Sequence, residues 1–213
     1  MSYQNNISTV EALNSISLKI YRGEKIALIG HNGSGKSSFL RLISEIYFPT
    51  SGKIYKKVKP YPMLSPSFIV SEVLTGIDSA KAHYLFRYGN LKGFENYLND
   101  IVEFSGLGDF IALPIKTYSE GMKSRFIFSI LTFDKHEFLA LDEGIGTGDN
   151  SFYQKAEKRM KEFIANAGTL VFASHSPDLL NKFCSRGLVF SCGNIVYDGK
   201  LNDALNFYAK RNK

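Results

Sequence analysis

The stretch that most constrains this chain is Gly30-His31-Asn32-Gly33-Ser34-Gly35-Lys36-Ser37, which satisfies the phosphate-loop pattern G-x-x-x-x-G-K-[ST] at every fixed position. Its flanks fit as well. An apolar run, Lys25 to Ile29, precedes the loop and an amphipathic stretch, Ser37 to Tyr47, follows it. Strand, glycine-rich loop and helix in that order form a cradle for phosphates. The glycines let successive main-chain N–H groups converge on one anion, and the helix presents the positive end of its dipole to it. Lys36 supplies a mobile cation for the β- and γ-phosphates, and Ser37 a hydroxyl for Mg²⁺. The pattern implies a nucleoside-triphosphate site on an α/β fold.

A second chemical signal lies further along. Glu137-Phe-Leu-Ala-Leu-Asp142-Glu143 reads as a buried strand ending in two acids. In a phosphate-loop enzyme the end of such a strand is where a metal-organising aspartate belongs. Asp142 is expected to hold Mg²⁺ through water. Glu143 is expected to orient and polarise the attacking water, which a base must reach by hydrogen bond. Thr169 to Ala173 reads as another buried strand and runs into Ser174-His175. His175 then falls on the sheet edge where ligands collect, and a γ-phosphate role is expected of it.

The remaining chain is organised around these pieces. Val10 to Ile20 alternates apolar and polar at its end and predicts a half-buried strand, with Tyr21 to Glu24 turning into the strand before the loop. Phe48 to Gly52 breaks the structure, Lys53 to Val58 reads as a short edge strand, and Lys59 to Pro66, with three prolines, as irregular. Ile69 to Gly108 reads as mostly helical, with an aromatic stripe at Tyr84, Tyr88, Phe94 and Tyr97 that suits a core or a partner-facing surface. Thr117 to Met122 is a polar turn into a helix over Lys123 to Phe133. Ser151 to Ala165 predicts a helix, residues 186–199 a hairpin turning at Gly193-Asn194, and Leu201 to Tyr208 a last helix.

Composition narrows the class. With 213 residues, 44% of them apolar and 22% charged, the chain is long enough for one large domain with a substantial core. It holds no apolar run long enough to span a bilayer and no signal-peptide layout at its N-terminus, so a cytoplasmic location is expected. Cys184 and Cys192 make no metal-ligand spacing with the four histidines and read as small semi-buried residues in a reducing compartment. The net charge of +6 includes clusters at Lys53, Lys56, Lys57 and Lys59 and at Lys210, Arg211 and Lys213. Such a surface suits nucleic acid or an anionic membrane face, and charge alone leaves both open. No nucleic-acid-reading motif with interleaved aromatics is present.

The order of these pieces resembles the nucleotide-binding subunit of ABC transporters, over essentially the whole chain. Tyr118-Ser119-Glu120-Gly121-Met122 stands ahead of the acidic strand where that family carries its signature motif, in place of the commoner Leu-Ser-Gly-Gly-Gln. The resemblance implies that Ser119, Glu120 and Gly121 cap the ATP of an opposite subunit, at the positive end of a helix. Residues 116–122 and 142–149, followed by Phe152 and Lys155, are similar to the subfamily that exports capsular polysaccharide, O-antigen or teichoic acid. Asp149 then matches the dimer-interface aspartate, and Tyr3 the aromatic that stacks on adenine. The length favours the short, capsule-type form without a C-terminal carbohydrate-binding domain. Two departures stand out. The glutamine of the family's Q-loop has no counterpart, since the only glutamines are Gln4 and Gln154, and the segment around Ser65 to Phe68 takes its place. The family's first strand lies before the adenine-stacking aromatic, so the small antiparallel sheet is expected to lack an edge.

The resemblance implies one nucleotide-binding domain over 1–213, with an ATP-binding core at 1–66 and 134–213 and an inserted helical subdomain at 67–133. The expected fold is a phosphate-loop, RecA-like α/β core with a mostly parallel sheet and a small antiparallel part. ATP is held with Mg²⁺ by Gly30, Asn32, Gly33, Ser34, Gly35, Lys36, Ser37 and Ser38. The implied partners are a second copy of the chain and two copies of a membrane permease that handles the polysaccharide, at the cytoplasmic face of the inner membrane; nucleic acid is not expected. The alternatives are the ATPase subunit of another exporter, a soluble ABC-type ATPase acting on nucleic acid, and a non-hydrolysing regulatory module.

Overall fold

The structure is a computed structural model and describes residues 11–63, 71–142 and 152–211. At its centre is a six-stranded sheet of β1 (Lys25–Ile29), β2 (Tyr61–Met63), β3 (Phe138–Asp142), β4 (Thr169–Ala173), β5 (Arg186–Ser191) and β6 (Asn194–Lys200). The spatial order is β2-β3-β4-β1-β5-β6, parallel throughout except for β6, which returns antiparallel along β5. A parallel sheet is covered on both faces, so its strands are continuous apolar runs. Ala27, Leu139, Leu141, Leu170, Phe172 and Val189 belong to one layer, with side chains of α5 (Tyr153–Ala165), α6 (Pro177–Phe183) and α7 (Leu201–Arg211). Ile26, Leu28, Val171, Leu188 and Phe190 belong to the other, with Phe39, Leu40 and Ile43 of α1 (Lys36–Ile43).

The strand expected over Val10 to Ile20 does not form in the described part, residues 11–20. Its alternation survives as burial: Leu13, Ile16, Leu18 and Ile20 pack onto the α1 layer while Ser15, Ser17 and Lys19 are exposed. A ladder partner is what it lacks among the described residues, and its backbone contacts are isolated ones, such as Asn14 N–H to the Gly193 carbonyl at 2.9 Å. The edge strand expected at Lys53 to Val58 is absent too. Lys56 and Lys59 both reach Glu45, at 2.9 and 3.1 Å, and Lys56 donates to the Ile43 carbonyl at 2.8 Å, which draws this segment to the end of α1. The edge is taken instead by Tyr61–Met63, within the stretch expected to be irregular. Pro62 is tolerated there because an edge strand leaves some N–H groups without a ladder role. The hairpin turns at Cys192-Gly193, one residue earlier than expected.

Helices α2 (Gly76–Tyr88), α3 (Phe94–Ser105) and α4 (Glu120–Leu131) gather round a cluster of their own, in which Tyr84, Tyr97, Ile101, Ile115 and Phe126 are buried. Of the aromatic stripe read from the sequence, Tyr84 and Tyr97 are buried in this core and Phe94 packs against it, whereas Tyr88 is exposed. Phe126 is 0% exposed and meets Tyr118 edge-on. Phe126→Ala is expected to destabilise the chain by about 3–5 kcal/mol, since the ring's transfer energy and the cavity left behind add. Urea denaturation of the variant against wild type measures it.

Two polar seams tie this cluster to the sheet. At the first, Arg87 donates to Asp134 at 2.8 Å and lies over the Tyr61 ring, on which His136 stacks. Burial, helped by the Arg87 guanidinium, pushes His136 down to about 4, so its ring is neutral and its Nδ1 accepts from Arg87. At the second, Arg159 of α5 grips Asp100 through two bonds of 3.1 and 2.6 Å. Beside it Lys155 donates to the Glu103 and Phe104 carbonyls at the C-terminal end of α3. A cation there satisfies carbonyls that the helix leaves without partners.

Candidate functional site

Strands β1, β3 and β4 lie side by side and run the same way, so their C-terminal ends open onto one edge of the sheet. The phosphate loop leaves β1 at that edge. Its first glycine is required by close approach: a Cβ on Gly30 would come within 2.6 Å of both the Phe190 carbonyl and Ser34 Oγ. Gly35, left-handed at φ 111°, starts α1 without any side-chain cap, and the first turn of α1 carries no acid. Neither a side-chain cap nor a first-turn acid therefore competes with an anion at this helix start.

A cleft of about 540 Å³ opens over this helix start, lined by Asn32, Gly33, Gly35, Lys36, Ser37 and Ser38 on the loop side and by Asp142 and His175 opposite. Lys36 is only 8% exposed, and its Nζ donates to the carbonyls of Gly30 at 2.6 Å and His31 at 2.9 Å. Ser37 Oγ donates to Asp142 Oδ2 at 2.6 Å. His175 Nε2 stands 3.2 Å from Asn32 Oδ1. A hydroxyl and one carboxylate in contact beside an uncapped helix start is the kind of donor set Mg²⁺ takes, because that ion draws its other ligands from water and substrate phosphates. Among the described residues no cluster of His, Cys, Asp and Glu offers a separate metal site.

The loop and strand-end residues read from the sequence thus come together, with two exceptions. Gly30 packs beneath the loop, and Ser34 is fully buried with its hydroxyl turned inward and unpartnered, so it can serve the site only through its main chain. Ser119, Glu120 and Gly121 do not line this cleft. Ser119 instead caps α4, accepting from the Met122 N–H at 3.2 Å, and both Ser119 and Glu120 are exposed at that helix start. Tyr3, Glu143, Asp149 and the Ser65 to Phe68 segment lie outside the described residues.

Sequence reading missed part of the lining: Glu11, Ala12, Ser174, Cys192 and Gly193. Topology could have found the last two, because β5 is parallel to β1 and the turn after it must emerge beside the phosphate loop. The two cysteines differ more than expected. Cys192 is exposed, whereas Cys184 is buried and its thiol is pushed up to about 12 by that burial.

The sheet order, the loop and the strand-end aspartate define a phosphate-loop nucleotide-binding protein. The family model for ABC transporters matches residues 13–146. The chain is 38% identical over 180 residues to the O-antigen export system ATP-binding protein RfbE of Yersinia enterocolitica, covering 84% of this chain and 75% of that one. It is 35% identical over 206 residues to the teichoic acids export ATP-binding protein TagH of Enterococcus faecalis, covering 97% of this chain but 46% of that one. Among solved structures, the dimeric ABC transporter cassette MJ0796 superposes with a TM-score of 0.71 at 19% identity, over 93% of this chain and 94% of that one. The chain belongs to the ABC transporter family, as an ATP-binding and ATP-hydrolysing component. No helix among the described residues is long and apolar enough to cross a membrane.

Proposed function

We propose that this chain powers the export of a cell-surface polysaccharide, of capsule or O-antigen type, through a separate permease at the cytoplasmic face of the inner membrane. The observation that carries the ATPase half of this reading is the meeting of Lys36, the Ser37–Asp142 pair and His175 in one cleft. The relatives named for O-antigen and teichoic acid export support the cargo half. Two copies associate head-to-tail. The phosphates of each ATP lie against residues 30–38 of one copy and are capped by Ser119, Glu120 and Gly121 of the other, whose position outside their own chain's cleft suits that division of work. Tyr3 stacks on the adenine and Asp149 faces the partner copy.

Ser37 and Asp142 would hold Mg²⁺, which when bound would draw charge off the β- and γ-phosphates. Lys36 steadies the same phosphates, His175 contacts the γ-phosphate, and Glu143 orients the attacking water. Hydrolysis separates the copies, and the two-state closure is what moves the permease.

Deleting the gene in its source cell, then complementing with wild type or Lys36→Ala, tests the reading. Surface polymer should vanish and accumulate inside, with rescue by wild type only. Unchanged surface polymer in the deletion strain would overturn the export reading and favour another exporter or a nucleic-acid ATPase.

A further inference from the structure

The β5–β6 turn is joined to the phosphate loop at several points. Gly193 N–H donates to the Ser34 carbonyl at 3.0 Å, and the Gly193 carbonyl accepts from Asn14 N–H at 2.9 Å. A Cβ on Gly35 would meet the Ala12 carbonyl at 3.1 Å and Gly193 Cα at 3.4 Å. A Cβ on Gly193 would meet the same Ala12 carbonyl at 2.9 Å. Turn, loop and the segment at Ala12 to Asn14 therefore interlock, largely through main chain.

Both central residues of the turn are left-handed, Cys192 at φ 46° and Gly193 at φ 77°. That is the conformation of a two-residue hairpin of the kind for which Asn-Gly is favoured. Cysteine pays a steric penalty there, as most residues with a Cβ do. The Cys192 carbonyl is held from two sides, by Asn194 Nδ2 at 3.0 Å and Asn14 Nδ2 at 3.4 Å.

The bond to Ser34 has a directional effect. The Ser34–Gly35 peptide is trans, so its C=O and N–H point in opposite directions. A Ser34 carbonyl fixed on the hairpin turns the Gly35 N–H away from the hairpin, and Gly35 lines the cleft. We propose that the Cys192–Gly193 turn is a positioning element of the nucleotide site: its Gly193 N–H holds the Ser34–Gly35 peptide so that the Gly35 amide is aimed at phosphate. The inference rests on the reading of this cleft as the ATP site.

Gly193→Ala places a Cβ against Ala12 and displaces the turn. The variant is expected to bind ATP about tenfold more weakly, the worth of one aimed hydrogen bond to a charged group. KM for ATP should rise in step while kcat at saturating ATP stays unchanged. A merely structural role gives the reverse pattern, a smaller active fraction with lower kcat and unaltered KM, and that result overturns the proposal. Amide hydrogen exchange on the wild-type chain tests it without any substitution. The Gly193 amide should be protected without nucleotide, and its protection should rise together with that of residues 34–38 when ATP is added. Free exchange at Gly193 in both states overturns the proposal. Lys36→Ala, run alongside, separates the two layers: normal ATP binding by that variant overturns the cleft reading, whereas loss of binding there with none in Gly193→Ala overturns the positioning role alone.

Discussion

Replacing Lys36 with alanine is expected to weaken ATP binding roughly 30-fold or more, because truncating one member of a desolvated charge pair costs about 2–5 kcal/mol. The magnitude follows from where the ammonium sits. It is nearly buried and bonded to two carbonyls of its own loop, those of Gly30 and His31. An ammonium carries three donors and no acceptor, which suits a cation shared between loop carbonyls and a phosphate. Without it, the two carbonyls lose their donor and the loop loses the cation that the cleft holds. Isothermal titration gives the loss directly. Thermal denaturation gives it by linkage: ATP at about 100 times Kd stabilises a binding protein by about 2.7 kcal/mol, and the variant should lose most of that shift at the same ATP concentration. Binding within a few-fold of wild type would remove Lys36 from the site.

Local signals made the site legible where chemistry and backbone coincide in one short stretch. The phosphate loop announces strand, turn and helix within a single motif, and Asp142 is marked by the apolar run that it ends. The errors share another cause. Alternation over Val10 to Ile20 reports which side chains are buried, and they are buried, but it is silent on whether a neighbouring strand exists to complete a ladder. Lys53 to Val58 has strand-like spacing, yet two of its neighbourhood's lysines are drawn to Glu45 by pairings remote from any strand pattern. Prolines argued against Tyr61–Met63, and only its position at the sheet edge makes Pro62 acceptable there. The contribution of Cys192 and Gly193 is a matter of topology, invisible until β5 is known to lie beside β1. Residue types marked the loop, Asp142 and His175, which the structure brings to one cleft; the hairpin packed against the loop depended on contacts between segments far apart in the chain.

Glu143→Gln is the substitution expected to separate binding from chemistry. Asp142 ends β3 with its Cα opposite Ala173, the last residue of β4, so the acid and His175 come from adjacent strand ends. Glu143 follows Asp142 directly in sequence, and a base there has to reach only a water lying between the strand end and the γ-phosphate. Glutamine keeps the shape and one carbonyl oxygen but gives up the negative charge that is proposed to polarise the water. Loss of a positioned general base costs about 10²–10⁴-fold in rate. Turnover should therefore fall at least about 100-fold, while the phosphate contacts proposed for Lys36 and the loop, untouched by the change, keep ATP affinity near wild type. With hydrolysis blocked, the two-copy ATP-bound state should persist on size-exclusion chromatography in ATP and Mg²⁺, where the wild type returns to single copies as it turns over. Turnover close to wild type in Glu143→Gln would refute the base assignment. Loss of ATP binding with loss of turnover would make Glu143 a binding residue, and the activation of water would then fall to His175 or the substrate itself.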